Sequence, residues 1–208
     1  MNDGTPIKRG RKFDQVLEGA RSVFLADGFE GAGVDAIARA AGVSKATLYS
    51  YFPDKKLLFM EVAKAECRSQ IAHAGAILSP DKSPAAALRE AGQEITRFVL
   101  SEFGQSIFRM CVAESDRFPE LGQELFRTGP QVFREQMCDY LGLAVARGEL
   151  RIDHLPLAAD QFIELCHATL FVEMVFGVRR GATEAEIDSV VDGAVETFMA
   201  RYGAAPSR

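Results

Sequence analysis

The chain has 208 residues, 48% apolar and 25% charged, with a formal net charge of −5 at pH 7. That balance is ordinary for a globular protein and supplies a full core for one small and one medium domain, or for a single larger helical unit. No run of eighteen apolar residues is present to span a bilayer, and the polar start MNDGTPIKRGRKF lacks the apolar region of a secretory signal, so a cytoplasmic protein is expected.

Residues 1–12 are polar with Gly and Pro, and read as a flexible basic arm. From Phe13 the apolar positions Val16, Leu17, Ala20, Val23 and Phe24 follow helical spacing until Gly28 stops the run. After the loop GFEGAG, a short helix is predicted over Asp35–Ala41, then a turn at Gly42-Val43-Ser44 and a second short helix from Lys45 to about Tyr51. Pro53-Asp54 ends that helix, and a long amphipathic one follows toward Leu78. Beyond the linker SPDKSP the spacing predicts helices near 84–103, 105–117, 119–147, 156–180 and 183–202. Gly104, Pro119, the 148–156 segment and Gly181 mark the breaks, and Gly129-Pro130 should kink or split the third of these helices. No strand periodicity is sustained and no repeat recurs, so the expected fold class is all-α.

The segment VDAIARAAGVSKATLYSYFPDKKLL, residues 34–58, carries the functional signal. Two helices of about seven residues joined by a three-residue turn must cross steeply, as in a helix-turn-helix. Small residues Ala38 and Ala41 suit the crossing, Gly42 the reversal, and Ile37, Val43 and Leu48 a small core beneath. Ser44 is placed to cap the second helix through its hydroxyl. Lys45, Ala46, Thr47 and Tyr49 are left on the outer face of its first turns, the part of a recognition helix that reaches base edges in the major groove. Charge agrees. Residues 1–56 hold nine Lys/Arg against seven Asp/Glu, the remainder fifteen against twenty-two, and Lys8, Arg9, Arg11 and Lys12 fall within five residues. An acidic body with a basic tip turns the tip toward a polyanion.

This run resembles the helix-turn-helix signature of the TetR family of repressors over about residues 13–60, because Gly42, Val43, Ser44, Leu48, Tyr49, Phe52 and Lys55 fall at the expected separations together. The resemblance implies that Ser44, Lys45, Thr47 and Tyr49 face DNA, that Tyr49 and Lys55 hold phosphates, and that Phe52 packs the domain core. Lys8, Arg9 and Arg11 are candidate groove or phosphate contacts, with a solubilising tail as the alternative. Tyr51 is a DNA-facing candidate beside its reading as a packing aromatic. One departure stands out: Gly33 occupies the position where such families place Thr or Ser, so it offers no hydroxyl to phosphate.

The segments AESDRFPELGQELFRTGPQVFREQM and ARGELRIDHLPLAADQFIEL resemble, more loosely, the C-terminal part of the AefR-like TetR subgroup. The implied architecture is a TetR-like one: a three-helix DNA-binding domain at 13–56 and a helical ligand-binding and dimerisation domain at 57–208. Richness in Phe and Met points to an adaptable apolar cavity beside the ordinary reading of those residues as core. Phe108, Cys111, Phe133, Met137, Phe162, Cys166 and His167 are the candidate lining for a small-molecule effector, with Arg109, Glu114 or Glu173 as a polar anchor. Phe171, Val175, Val178, Ile187, Val191, Ala194, Val195 and Phe198 on the last two helices are the candidate seam of a homodimer reading a pseudo-palindromic operator in double-stranded DNA. Ligand binding is expected to mis-space the reading heads and weaken operator affinity by linkage.

Cys67, Cys111, Cys138 and Cys166 form no CxxC pair and read as buried thiols, with a redox switch as the alternative. His73 is expected to face solvent and His154 to lie in a loop. No metal, cofactor or membrane partner is expected. No G-x-S-x-G, H-E-x-x-H or phosphate-cradling glycine loop supports an enzyme, and a purely architectural DNA binder would have little use for the acidic C-terminal part.

Overall fold

The computed structural model describes residues 10–204. These residues form eleven α-helices: α1 (Arg11–Gly31), α2 (Val34–Ala40), α3 (Lys45–Tyr51), α4 (Lys55–Ile77), α5 (Pro84–Leu100), α6 (Glu102–Glu114), α7 (Pro119–Thr128), α8 (Pro130–Ala146), α9 (Leu155–Cys166), α10 (Leu170–Val175) and α11 (Glu184–Tyr202). The fold class is all-α: among the described residues the one extended pairing is an isolated bridge between Leu150 and Gly203. No described helix is long and apolar enough to cross a membrane. The chain divides into two compact units, at Glu66 and Cys67 within α4.

In the first unit α1 begins at Arg11, so Arg11 and Lys12 belong to its first turn rather than to an arm. Gly28 breaks the helical run at φ 67°, a conformation open to glycine at little cost. Phe13, Val16, Ala20 and Phe24 of α1, Ile37 and Ala38 of α2, Leu48 and Phe52, and Leu58 and Phe59 of α4 are all buried. Aromatic edges fasten this core: Phe24 meets Phe59 edge-on with centroids 5.0 Å apart, and Phe13 lies 5.2 Å from Phe52. Arg21 donates from Nε to Glu66 Oε2 over 2.7 Å, joining α1 to α4 beside an otherwise apolar contact.

In the second unit α5 packs on α11 and on α6, α8 on α9, and α11 on α9. Leu88, Ala91, Met137, Leu141, Phe162, Cys166, Val191 and Phe198 share one core. Polar pairs border the α5–α11 seam: Arg89 grips Asp192 with two nitrogens, at 2.5 and 3.2 Å, and Arg97 reaches Glu184 at 2.8 Å. Thr183 and Glu186 form a capping box at the start of α11, where the Thr183 backbone N–H and hydroxyl, with Arg179, pull the Glu186 carboxyl down to about 2.

Three expected boundaries move, each for a local reason. The α5–α6 break falls at Ser101, not Gly104, because the extended Ser101 caps α6: its Oγ accepts from Gly104 N at 3.0 Å and donates to the Phe98 carbonyl at 2.7 Å. The 119–147 helix splits at Gly129-Pro130 into α7 and α8, as the missing proline donor requires. The 156–180 helix, expected to be continuous, instead breaks after Cys166. There Thr169 takes φ 67°, ψ −59°, and Leu170 N–H donates to the Ala168 carbonyl two residues back at 2.7 Å.

That is a γ-turn of the positive-φ kind, a strained arrangement for a β-branched residue. Such strain costs about 1–3 kcal/mol. Thr169 is exposed, so glycine fits without loss of packing. Thr169→Gly is therefore expected to raise the melting temperature by roughly 2–4 °C per kcal/mol recovered, after subtraction of the glycine entropy cost. A lower melting temperature in calorimetry would mean that the turn is not strained.

Most of the expected dimer seam turns inward. Ile187, Val191, Ala194, Val195 and Phe198 are buried within the protomer, because α11 meets α5 and α9 with its apolar side. Phe171 lies against Phe108. Of the expected seam Val178 stays outside at 75% exposure, and beside it so do Val172 and Phe176, which were not among the seam candidates, at 56% and 80%.

Candidate functional site

The reading head is built from the turn at 41–44. Gly42 at φ 63° reverses the chain, with its N–H on the Arg39 carbonyl and Val43 N–H on the Ala38 carbonyl. Ser44 Oγ then accepts from Thr47 N at 3.0 Å, the expected cap of α3, and also lies 2.9 Å from Thr47 Oγ1. Gly33 precedes α2 in extended conformation and supplies no side-chain cap. Leu48 holds α3 to the core while Ser44, Lys45, Ala46 and Tyr49 are exposed and Thr47 is partly so. The expected outer face is therefore open along its whole length.

Two features of this surface were not read from the sequence. Gly19 on α1 touches the end of α2 so closely that a Cβ there would sit 2.4 Å from Ala41 N and 2.5 Å from its Cα. Lys45 Nζ forms an ion pair with Asp35 Oδ1, both side chains being largely exposed. The signal for the pair was present: an acid in the first turn of α2 and a base at the first position of α3, in helices forced together by a three-residue turn.

The remaining DNA-facing candidates divide. Arg11 is exposed at the start of α1, whereas Lys8 and Arg9 lie outside the described residues. Tyr51 is half-buried with its ring edge-on to Phe13 at 6.0 Å, which gives it a packing role. Lys55 has a local task as well: Nζ donates to the Phe29 carbonyl at 2.8 Å and the Ala32 carbonyl at 3.3 Å, and sits 4.4 Å above the Phe29 ring. It thereby ties the end of α1 to α4, with two of three ammonium donors engaged.

In the second unit Phe133, Met137, Phe162 and Cys166 join the closed core, each at most 3% exposed. Phe108 and His167 meet around a residue assigned elsewhere by the sequence, Phe171, whose ring lies 5.0 Å edge-on from Phe108 and 5.7 Å from the His167 imidazole. Phe171 in turn packs on the core, which links the two groups. Phe108 is 39% exposed. Burial lowers the His167 pKa, so the ring is neutral at pH 7 although Glu164 opposes the shift. Its Nε2 is buried and meets no hydrogen-bond partner.

Cys67 and Cys166 are buried as expected, whereas Cys111 and Cys138 are half-buried; burial pushes the Cys166 thiol up to about 12 and raises Cys111 and Cys138 as well, which keeps these three protonated at neutral pH. His73 is exposed, and His154 caps α9, its Nδ1 accepting from Leu157 N at 3.1 Å.

Comparison with known proteins covers both units. Residues 16–62 match the tetR family of bacterial regulatory proteins, and residues 86–204 match the C-terminal domain of AefR-like transcriptional repressors. The HTH-type transcriptional repressor AcnR of Corynebacterium efficiens is 38% identical over 66 residues, which is 32% of this chain and 35% of that protein. The chain thus spans about a third of the length of this curated relative. Among solved structures, the flavonoid-responsive regulator FrrA is 33% identical, covers 96% of this chain and 100% of its own, and superposes with a TM-score of 0.65. A TetR-family transcriptional regulator from Mesorhizobium loti reaches a TM-score of 0.80 at 26% identity, covering 93% of this chain and 98% of its own.

Proposed function

Because the chain belongs to the TetR family of bacterial regulatory proteins, we propose that it is a homodimeric transcriptional repressor that releases a pseudo-palindromic operator when a small apolar effector binds its C-terminal helices. The open face of α3 carries this reading. A seven-residue helix with its cap Ser44 and its Lys45, Ala46 and Tyr49 all turned outward, anchored through buried Leu48 and half-buried Tyr51, has the form of a recognition helix. The match of the C-terminal unit to AefR-like repressors supports repression over activation.

Val172, Phe176 and Val178 are three exposed apolar side chains within seven residues, a patch that a second copy would cover. Two heads held in this way stand about one helical turn of DNA apart, roughly 34–36 Å. For the effector, the flavonoid-responsive relative makes planar phenolic compounds the first class to test. An effector that prefers the mis-spaced dimer lowers operator affinity by the ratio of its affinities for the two states.

Genome-wide footprinting of the purified protein identifies the operator, and anisotropy titrations then measure its affinity with and without a hydroxylated flavonoid. The operator is expected to bind at least ~10³-fold tighter than bulk DNA. Saturating effector should weaken it by about tenfold or more. Equal affinity for operator and bulk DNA would overturn the repressor reading; tight operator binding that no flavonoid alters would overturn the effector class alone.

A further inference from the structure

Four buried side-chain polar atoms among the described residues of the second unit meet no hydrogen-bond partner, Gln105 Oε1, Gln136 Oε1, Arg179 Nη1 and His167 Nε2, and the last of them lies at the α9–α10 junction beside an aromatic pair. Backbone groups there are paired: His167 N–H donates to the Glu164 carbonyl at 3.1 Å, and the His167 carbonyl accepts from Phe171 N at 3.3 Å. Even the preceding Cys166 carbonyl is reached by Thr96 Oγ1 at 3.4 Å. What stays unpaired is the imidazole Nε2, buried in a ring that lies against Phe171, which in turn meets Phe108. A buried ring nitrogen without a partner costs free energy that nothing in the chain offsets, and such atoms call for an external partner.

The surroundings restrict that partner. Phe108 from α6 and Phe171 from α10 meet edge to face, the His167 ring is tilted 33° to Phe171, and Phe108 opens the cluster outward. Flat aromatic surface is what these ring faces and edges accept best. Resting on the reading of this unit as an effector domain, we infer that His167 Nε2 is the hydrogen-bonding point for a neutral hydroxyl on a planar aromatic ligand seated against Phe108 and Phe171. A hydroxyl both donates and accepts, so it satisfies either tautomer of a neutral imidazole. A carboxylate only accepts, so it pairs with the Nε2–H tautomer alone and without the charge of an imidazolium, which burial disfavours.

Three matched probes test this on the full-length protein by calorimetric titration: 2-naphthol, its methyl ether 2-methoxynaphthalene, and 2-naphthoate. The wild type is expected to bind 2-naphthol about tenfold or more tighter than either, since the ether cannot donate and the acid is charged. His167→Phe keeps an aromatic ring but no nitrogen, and should bring 2-naphthol and its ether to nearly equal affinity. His167→Gln retains a donor and an acceptor, and should restore part of the preference. Melting temperatures of the variants verify that they are folded.

Failure of the wild type to bind 2-naphthol, equal affinity for naphthol and ether, preference for the naphthoate, or a preference that survives in His167→Phe would each overturn the inference and leave Nε2 to water alone. Operator binding by the wild type without any probe reports separately on the repressor reading, so the two failures are distinguishable.

Discussion

Gly19→Val is expected to remove operator binding while leaving the second unit folded. The α1–α2 contact has no room for a side chain at this position: a Cβ would stand 2.4 to 2.6 Å from Ala41 N, Cα and Cβ. Two of those atoms are backbone, so no rotamer change relieves the overlap. Ala41 also caps α2 and precedes the Gly42 reversal, and any shift there is passed directly to α3. Overpacking of this kind costs about 1–3 kcal/mol and more for a β-branched residue, against roughly 1 kcal/mol gained from replacing a helical glycine. Gly19→Ala should therefore destabilise the first unit, and Gly19→Val should do so severely. Gly142→Ala is the control. It too lies within a helix, but its Cβ would meet only Leu155 Cδ1 at an ordinary 3.5 Å, so the same change should stabilise. Circular-dichroism melts and operator anisotropy on the three variants decide the matter. A Gly19→Val protein with normal operator affinity would show that the α1–α2 contact does not position α3.

The contrast between Gly19 and Gly42 shows what the sequence could and could not say. Gly42 was readable because a three-residue turn between two short helices demands a reversal, and the backbone delivers φ 63° there. Gly19 sits inside a regular helical pattern, and only the partner helix reveals why no side chain is allowed. The same division runs through the rest of the chain. Ser44 as a cap, Leu48 as core and the split at Gly129-Pro130 follow from local chemistry, Phe52 as core from the family resemblance, and the structure has them in those roles. The break at Thr169 was invisible, since nothing in Cys-His-Ala-Thr-Leu marks a turn and threonine disfavours positive φ. The apolar stripe of α11 was legible as apolar, but periodicity does not distinguish a protomer's own core from a dimer seam; α5 and α9 take it. Lys55 was picked for phosphate from the motif, and its contacts to the Phe29 and Ala32 carbonyls could not be read from the sequence, because they depend on how α1 meets α4.

Lys45→Ala is expected to cost about 1–3 kcal/mol of operator affinity if the ammonium reads a base edge, and to lower all sequences alike with a shallower salt slope if it holds a phosphate. The structure adds a competitor. Asp35 already pairs with the Lys45 ammonium, so a DNA acceptor for Lys45 has to displace its carboxylate. An exposed pair of this kind is worth at most about 1 kcal/mol, so an operator that supplies a well-placed acceptor can break it. A scrambled duplex offers phosphates but not the operator's placed base acceptor, so it is expected to leave the pair closed more often and to meet the repulsion of Asp35 for phosphate. Asp35 is thus expected to act against the wrong partner more than against the right one. Asp35→Asn should raise affinity for bulk DNA more than for operator and so shrink the ratio between them. In the double variant Lys45→Ala with Asp35→Asn, the effect of the aspartate change on specificity should be smaller than in the wild-type background, because the charge it restrained is gone. Anisotropy titrations of operator and scrambled duplexes at two salt concentrations measure all four proteins. An Asp35→Asn protein with an unchanged operator-to-bulk ratio would reduce the ion pair to a surface contact with no part in recognition.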